Sequence, residues 1–152
     1  MKTIGFRCSN SDLSYAILEG DQSSPKVIEI NSMNFPKNYE DGQLLNWFYQ
    51  EVDGIINQHT PDNIGIRCHE GMVRKKNPFV VRMQIEGMIF LCATKNGIDD
   101  IASKTRSTIA KDLGTKGKAS YLNKKVDFSV IPDYAKLTDK KKEAVQVALS
   151  ML

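Results

Sequence analysis

The chain has 152 residues, of which 41% are hydrophobic and 26% are charged, and its formal net charge is +3. That composition is typical of a globular protein with one sizeable core, and it excludes a disordered or low-complexity chain. No apolar run reaches the ~20 residues of a membrane span, and the N-terminus turns polar too early for a secretion signal. The three cysteines are far apart, which favours reduced thiols over a disulfide framework. We therefore expect a single cytoplasmic domain over residues 1–152, without a membrane partner.

Charge is divided unevenly along the chain. Residues 1–72 carry five basic and ten acidic side chains, whereas residues 101–142 carry eleven basic and four acidic ones. This polarity favours an anionic partner such as DNA or RNA. A solvated lysine-rich face explains the same pattern equally well.

The first thirty residues predict a β-meander. Polar, turn-forming residues separate three short apolar strands: Thr3–Arg7, Leu13–Leu18 and Lys26–Ile30. In the third strand, alternation places Ile28 and Ile30 on one face and Glu29 on the other.

From about Asp41 the hydrophobic period changes to three and four residues. This predicts a helix with one apolar face: Leu44, Leu45, Phe48, Val52, Ile55 and Ile56. Residues 58–63 end the helix, and Ile64–Ile66 begins a buried strand. Because a helix returns the chain after the meander, we expect this strand to lie parallel to the first.

The pattern of helix and strand then continues to the end of the chain. Asn77-Pro78 is a helix-start signal, and the apolar residues of Phe79–Thr94 predict a helix buried nearly all round, ended by Asn96-Gly97. Three further elements complete the prediction: a strand at Ile98–Ala102, a brief helix from Thr105 to Leu113, and a helix from Thr138 or Asp139 to Met151.

Four segments occur in an order that is informative as a set: Ile4-Gly5-Phe6-Arg7 through Tyr15-Ala16-Ile17-Leu18, Pro61 to Arg67, Ile109 to Ser120, and Glu143 to Leu149. Together with the order β-β-β-α-β-α-β-α-α, they resemble the RuvC-type Holliday-junction resolvases of the ribonuclease H-like superfamily. The resemblance implies an α/β fold of the ribonuclease H-like class, with a mixed five-stranded sheet and helices on both faces.

The resemblance also implies four carboxylates that bind two magnesium ions. At those positions this chain has Arg7, Arg67, Lys140 and Glu143, so a single acid remains. Asp139 is adjacent to Lys140, but a helix rotates it by roughly 100°. Cationic side chains repel a metal ion. We therefore expect no metal, no cofactor and no catalysis at this site, and any enzyme would be a phosphodiester hydrolase.

Two roles stay open for the arginines. Glu143 can hold Arg7 and Arg67 in a structural ion-pair cluster, or the two guanidinium groups can bind a phosphate directly. The glycine-lysine loop at 114–118 lacks the P-loop pattern. Its proposed role is contact with a phosphate backbone, through Lys111, Lys116 and Lys118, within a basic surface from Lys104 to Lys142. Arg74-Lys75-Lys76 is a candidate extension of that surface.

The favoured function is that of a catalytically degenerate RuvC-like protein that binds nucleic acid or another phosphate-bearing partner. One alternative is an interaction or scaffold module, a homodimer without a nucleic-acid role. Another is a nuclease that uses different acids, for which Asp12, Glu70 and Glu86 are the candidates. The run Cys68-His69-Glu70 contains metal-ligand residue types but lacks the paired spacing of zinc sites.

Overall fold

A mixed five-stranded sheet in the order β3-β2-β1-β4-β5 organises the chain. The computed structural model describes residues 1–70 and 77–152. Its strands are β1 Lys2–Cys8, β2 Asp12–Glu19, β3 Lys26–Asn34, β4 Asn63–Arg67 and β5 Ile101–Lys104. The first three strands pair antiparallel, while β4 is parallel to β1 and β5 is parallel to β4. This confirms the prediction that the first strand is central, between its hairpin partner and the fourth strand.

Helices cover both faces of the sheet, as the predicted fold class requires. They are α1 Asp41–His59, α2 Asn77–Lys95, α3 Arg106–Asp112, α4 Tyr121–Lys124 and α5 Asp139–Leu149. One core lies between the sheet and α1 and α2, with Phe48 and Ile89 among its buried residues. The other core lies under α3, α4 and α5, with Ile109, Leu122 and Val147 among its buried residues.

The close approach of α5 to the sheet depends on two glycines. A Cβ on Gly5 of β1 would lie 2.5 Å from the backbone nitrogen of Ala148 in α5. A Cβ on Gly65 of β4 would lie 2.9 Å from a methyl group of Val147. Because these positions have no side chain, α5 lies directly on β1 and β4, two residues before Arg7 and Arg67.

The third strand differs from its prediction. It extends to Asn34, and a bulge shifts its register so that Ile17 pairs with Glu29 and Leu18 pairs with Val27. Ile28 is the extra residue and is exposed, whereas Ile30 packs with Val27 against the α5 core. The expected shared face of Ile28 and Ile30 is wrong because a bulge interrupts the alternation.

The second half of the chain requires two corrections. The backbone N–H of Ile98 donates to the carbonyl of Ala93 at 3.0 Å, so Ile98 closes the end of α2 and the fifth strand begins only at Ile101. The helix α2 is not buried all round, since four of its apolar side chains are 38% to 48% exposed: Val80, Met83, Phe90 and Leu91. The short α4 and a 3₁₀ turn at Tyr134–Lys136 were not predicted.

The start of α2 is only partly described. Its backbone begins at Asn77, in agreement with the predicted start signal. The proposed basic extension Arg74-Lys75-Lys76 lies outside the described residues. No helix in the described ranges is both long and apolar enough to span a membrane.

Candidate functional site

Arg7, the next-to-last residue of β1, and Arg67, the last residue of β4, lie side by side where these two neighbouring strands end. β1 and β4 are parallel, with Phe6 opposite Ile66, so the residues that follow each pair share one edge of the sheet. Both arginines extend towards α5, on the same side as the two glycines. In both strands a glycine is followed two residues later by an arginine. The same helix explains both pairs, because α5 packs on the glycines and its Glu143 meets the arginines.

Glu143 of α5 lies between the two guanidinium groups. Arg7 Nε donates a hydrogen bond to Glu143 Oε2, and Arg67 Nη2 lies 3.8 Å from Glu143 Oε1. Each arginine also donates from Nη1 to the carbonyl of the cysteine that follows it, Cys8 or Cys68. The Arg7–Glu143–Arg67 group, hereafter the arginine cluster, thus joins β1, β4 and α5.

Arg67 is the most deeply placed member of the arginine cluster, with only 5% of its side chain exposed. Burial lowers the pKa of Arg67 from its usual value, and the charges of Glu143 and Glu70 oppose that change. Glu70 accepts from Arg67 Nη2 at 2.7 Å and from the backbone N–H of Arg106 at 2.9 Å. Arg67 Nε is buried without a hydrogen-bond partner among the described residues.

Lys140 does not join the arginine cluster. Its Nζ instead donates to a carboxylate oxygen of Asp12, at the start of β2. Burial alone would raise the pKa of Asp12, but hydrogen bonds with Lys140, Ser9 and Ser11 outweigh it and lower the pKa below its ordinary value. Lys140, which lies three residues before Glu143, therefore forms a separate ion pair with Asp12.

All three acids considered as substitute catalytic groups are paired with basic side chains. Asp12 is bonded to Lys140 and Glu70 to Arg67. Glu86 is buried and accepts from the half-buried Arg82 Nε at 2.7 Å, and this pair lies on α2 across the sheet from α5. The structure does not bring these carboxylates together.

His69 and Glu70, the possible metal ligands next to Cys68, instead contact other side chains. The His69 ring packs edge-on against Phe79, with ring centroids 4.8 Å apart. Burial raises the pKa of the Cys68 thiol, and likewise that of Cys8, so both favour the neutral form. Over residues 1–70 and 77–152, no group of three or more histidine, cysteine or acidic side chains is arranged to hold a metal ion.

The predicted phosphate-binding lysines lie on another part of the surface. Lys111 is on α3, and Lys116 and Lys118 are in the loop that follows; all three are exposed and form no ion pair within the described residues. Lys118 and Lys125 lie 5.7 and 4.2 Å from the centroid of the Tyr121 ring. These five residues form what we call the α3–α4 basic patch.

A cavity of about 370 Å³ next to the arginine cluster was not predicted from sequence. It lies between α5, the start of α3 and the segment after α4, and Glu143 lines it together with Arg106 and Gln146. Sequence offered one signal for it, since Asp139, Glu143 and Gln146 recur at helical spacing on α5.

The chain is similar to known proteins in both sequence and structure. No protein-family model matches the chain. It is 24% identical over 131 residues to the crossover junction endodeoxyribonuclease RuvC of Dictyoglomus thermophilum, covering 83% of this chain and 82% of that protein. It is 26% identical over 100 residues to the RuvC of Brachyspira hyodysenteriae, covering 65% of this chain and 61% of that protein.

A solved structure agrees with the sequence matches. Thermus thermophilus RuvC in complex with a Holliday junction substrate superposes with a TM-score of 0.74, at 10% identity, over 99% of this chain and 91% of that one. The chain therefore resembles RuvC in sequence and in fold. The predicted family resemblance and the ribonuclease H-like fold class are thereby confirmed.

This RuvC-like chain brings together three of its four predicted degenerate positions, Arg7, Arg67 and Glu143. The fourth, Lys140, lies one helical turn away on α5 and faces Asp12 instead. The predicted phosphate contacts divide into two groups, the arginines in the cluster and the lysines in the α3–α4 basic patch.

Proposed function

We propose that this RuvC-like protein binds nucleic acid and does not cleave it by the two-metal route. The observation that carries the proposal is the position of Glu143, whose carboxylate is shared by Arg7 and Arg67 at the ends of the two central strands. Both guanidinium groups engage the single carboxylate of the arginine cluster, so that carboxylate is not free for a metal.

Magnesium does not suit this set of side chains. It requires several oxygen ligands in near-octahedral geometry, mostly anionic or water. Here two guanidinium groups occupy the strand ends, and Glu143 is already engaged by both. Since a guanidinium group carries only donors and a positive charge, it repels the ion instead of binding it.

Binding of nucleic acid is supported by the α3–α4 basic patch and by the relatives. One segment exposes three lysines: Lys111, Lys116 and Lys118. When an exposed lysine contacts a phosphate of nucleic acid, counterions are released, and this release favours binding. The relatives are named as crossover junction endodeoxyribonucleases, and the Thermus thermophilus structure contains a Holliday junction. DNA is therefore the first partner to test, with RNA second.

The test is a titration of labelled DNA and RNA at several salt concentrations. We expect weak, sequence-independent binding, with Kd on the order of 10⁻⁴–10⁻⁶ M at physiological salt and a linear dependence of log affinity on log salt. Replacing Lys116 and Lys118 with alanine should lower the slope by about 2. Absence of binding at ~50 mM salt would overturn the proposal, because electrostatic attraction is stronger there.

A matched control separates local contacts from net charge. Lys26→Ala with Lys37→Ala removes the same charge from two exposed lysines in the acidic half of the chain. The slope should then stay close to that of the unmodified protein. An equal fall in both double variants would show that the α3–α4 basic patch is not the contact surface.

A second proposal, a homodimer, is favoured by one face of α2. The exposed apolar residues Val80, Met83, Phe90 and Leu91 recur at three- and four-residue spacing around Gly87. A Cβ on Gly87 would meet nothing within 4 Å, so another helix has room to approach. The charged residues of the helix lie outside this arc: Arg82, Glu86 and Lys95.

A second copy of the chain fits this α2 face. An uncharged surface can pack against itself without like-charge repulsion, and two-fold symmetry presents the same face from both sides. Met83→Lys with Leu91→Lys should yield a monomer by sedimentation equilibrium, while Gln50→Lys on the exposed side of α1 should not change the assembly. A monomeric unmodified protein would refute the dimer.

A further inference from the structure

The cavity beside the arginine cluster has polar walls that are incompletely satisfied. Gln146 is 4% exposed, and its Nε2 donates to the Tyr134 hydroxyl at 2.7 Å, but its Oε1 is buried without a partner in the described part of the chain. Arg106 also lines the cavity, and its Nε is buried with no acceptor among the same residues. A buried polar group without a partner is costly, so both groups point to a ligand that supplies the missing bonds.

The charges around the cavity favour a neutral ligand over a free anion. Arg106 and Lys142 are the basic residues that line it, and Asp139 and Glu143 are the acidic ones. Since the four formal charges cancel, a phosphate gains little net attraction here compared with the α3–α4 basic patch. The unsatisfied groups are one donor and one acceptor, so a neutral ligand that carries both an acceptor and a donor matches them.

The edge of a nucleobase has this combination of groups. Unpaired bases are recognised by hydrogen bonds to their edges and by contact with aromatic rings. Tyr134 provides such a ring in the cavity wall, held by stacking on Phe128 with the centroids 4.6 Å apart. The volume of about 370 Å³ lies within the range of small-ligand sites.

We propose that this cavity holds one unpaired nucleobase of a bound strand, with Arg106 Nε as donor to the base and Gln146 Oε1 as acceptor from it. The proposal rests on the proposed nucleic-acid binding and adds a structural preference to it. The α3–α4 basic patch contacts the phosphates of any strand, while the cavity selects strands that offer a base outside the helix.

The test compares two DNA duplexes that differ in one group. One contains a single unpaired nucleotide, and the other contains an abasic residue at the same position, so their charge and backbone are alike. Fluorescence anisotropy at fixed salt gives both affinities. We expect the duplex with the base to bind roughly fivefold more tightly or better, which is the scale of good base-edge contacts.

Three variants identify the groups responsible. Gln146→Leu removes the acceptor and Arg106→Lys removes the Nε donor at constant charge, and each should bring the two affinities close together. Lys118→Ala should weaken both duplexes alike and leave their ratio unchanged. If Gln146→Leu does not fold, as judged by circular dichroism, Arg106→Lys gives the same information from a less buried position.

The outcomes separate the two proposals. Equal affinity of the unmodified protein for both duplexes would overturn the cavity proposal and leave nucleic-acid binding intact. Failure to bind either duplex at low salt would overturn the proposed function itself. A preference for the base that survives both Gln146→Leu and Arg106→Lys would place base recognition elsewhere on the protein.

Discussion

At the scale of single residues, Arg67 is a buried cation whose charged form is disfavoured by burial and stabilised by nearby carboxylates. It has two carboxylate neighbours, Glu143 and Glu70, and Arg82 donates to its backbone carbonyl at 2.9 Å. Arg7 has Glu143 as its acid. Because Glu143 lies within ion-pair distance of both arginines, its loss removes an anionic neighbour from each of them.

Glu143→Gln should destabilise the fold. It preserves the size of the side chain but leaves two adjacent guanidinium groups without their shared anion. Breaking a buried ion pair costs roughly 3–5 kcal/mol, and the lower end applies because Glu143 and Arg7 are partly exposed. Urea denaturation measures the change in the free energy of unfolding.

A surface ion pair provides the control for Glu143→Gln. Lys136 is 79% exposed in its pair with Asp133, so Lys136→Ala should cost less than about 1 kcal/mol. If the two variants lose similar amounts of stability, the arginine cluster does not stabilise the fold as argued.

Asp12 should make stability depend on acid pH. Its pKa in the folded protein is below the ordinary value of 3.8, so its ionised form is stabilised by folding. That contribution is complete above the unfolded pKa and is lost as pH falls through the folded pKa. Asp12→Asn should therefore be less stable at pH 7 and show a shallower loss below about pH 4. Parallel pH profiles for both proteins in urea denaturation would contradict this.

At the scale of elements, the position of α5 depends on the backbone at two glycines. Ala144 and Ala148 of α5 complement Gly5 of β1, so small residues meet small residues where the helix crosses the sheet. The threonine cap at Thr138, whose side chain accepts from the backbone N–H of Lys141, determines where the helix begins. Together these features fix the distance from Glu143 to the two strand ends.

Gly5→Ala should disrupt this contact. The added Cβ would lie 2.5 Å from Ala148 N, which is backbone and cannot move without displacing α5. We expect a loss of roughly 1–3 kcal/mol or more from overpacking. Gly54→Ala on α1 is the control, since its Cβ meets nothing within 4 Å and alanine favours a helix by about 1 kcal/mol. Equal thermal stability of the two variants would show that α5 adapts freely.

At the scale of the whole molecule, the ribonuclease H-like sheet brings the ends of β1 and β4 to α5, where Arg7 and Arg67 meet Glu143. A fold of this kind can position side chains of different chemistry, so the fold alone does not establish an activity. Whether residues 1–152 form one domain, and whether the protein is cytoplasmic, stay predictions.

Acids introduced at the three basic positions should give the chain a response to magnesium. A ligand that binds only the folded state raises its stability by RT ln(1 + L/Kd), where L is the free ligand concentration. We expect 10 mM magnesium, compared with sodium at equal ionic strength, to leave the Tm of the unmodified chain unchanged. Arg7→Asp, Arg67→Glu and Lys140→Asp combined should give a chain whose Tm rises with magnesium. A rise of similar size in the unmodified protein would refute the absence of a metal site.

The sequence by itself determined the order of the elements and the place of the arginines. Alternation in β1 and the three- and four-residue period of α1 are local signals, because each follows from the geometry of one strand or one helix. The two strand segments ending in Arg7 and Arg67 could therefore be aligned before any contact was known. The helix between the two strands predicts that they are parallel, and the resemblance to a known family then indicates Glu143.

The tertiary structure alone decided how those residues are used. Sequence did not predict that Lys140 pairs with Asp12, that Ile28 lies in a bulge, or that one face of α2 is exposed. The cavity around Gln146 also depends on segments distant in the chain. Each of these depends on how separate elements pack, and a periodic pattern describes only one element at a time. Side-chain partners more than a hundred residues apart are fixed by the placement of α5 on the sheet.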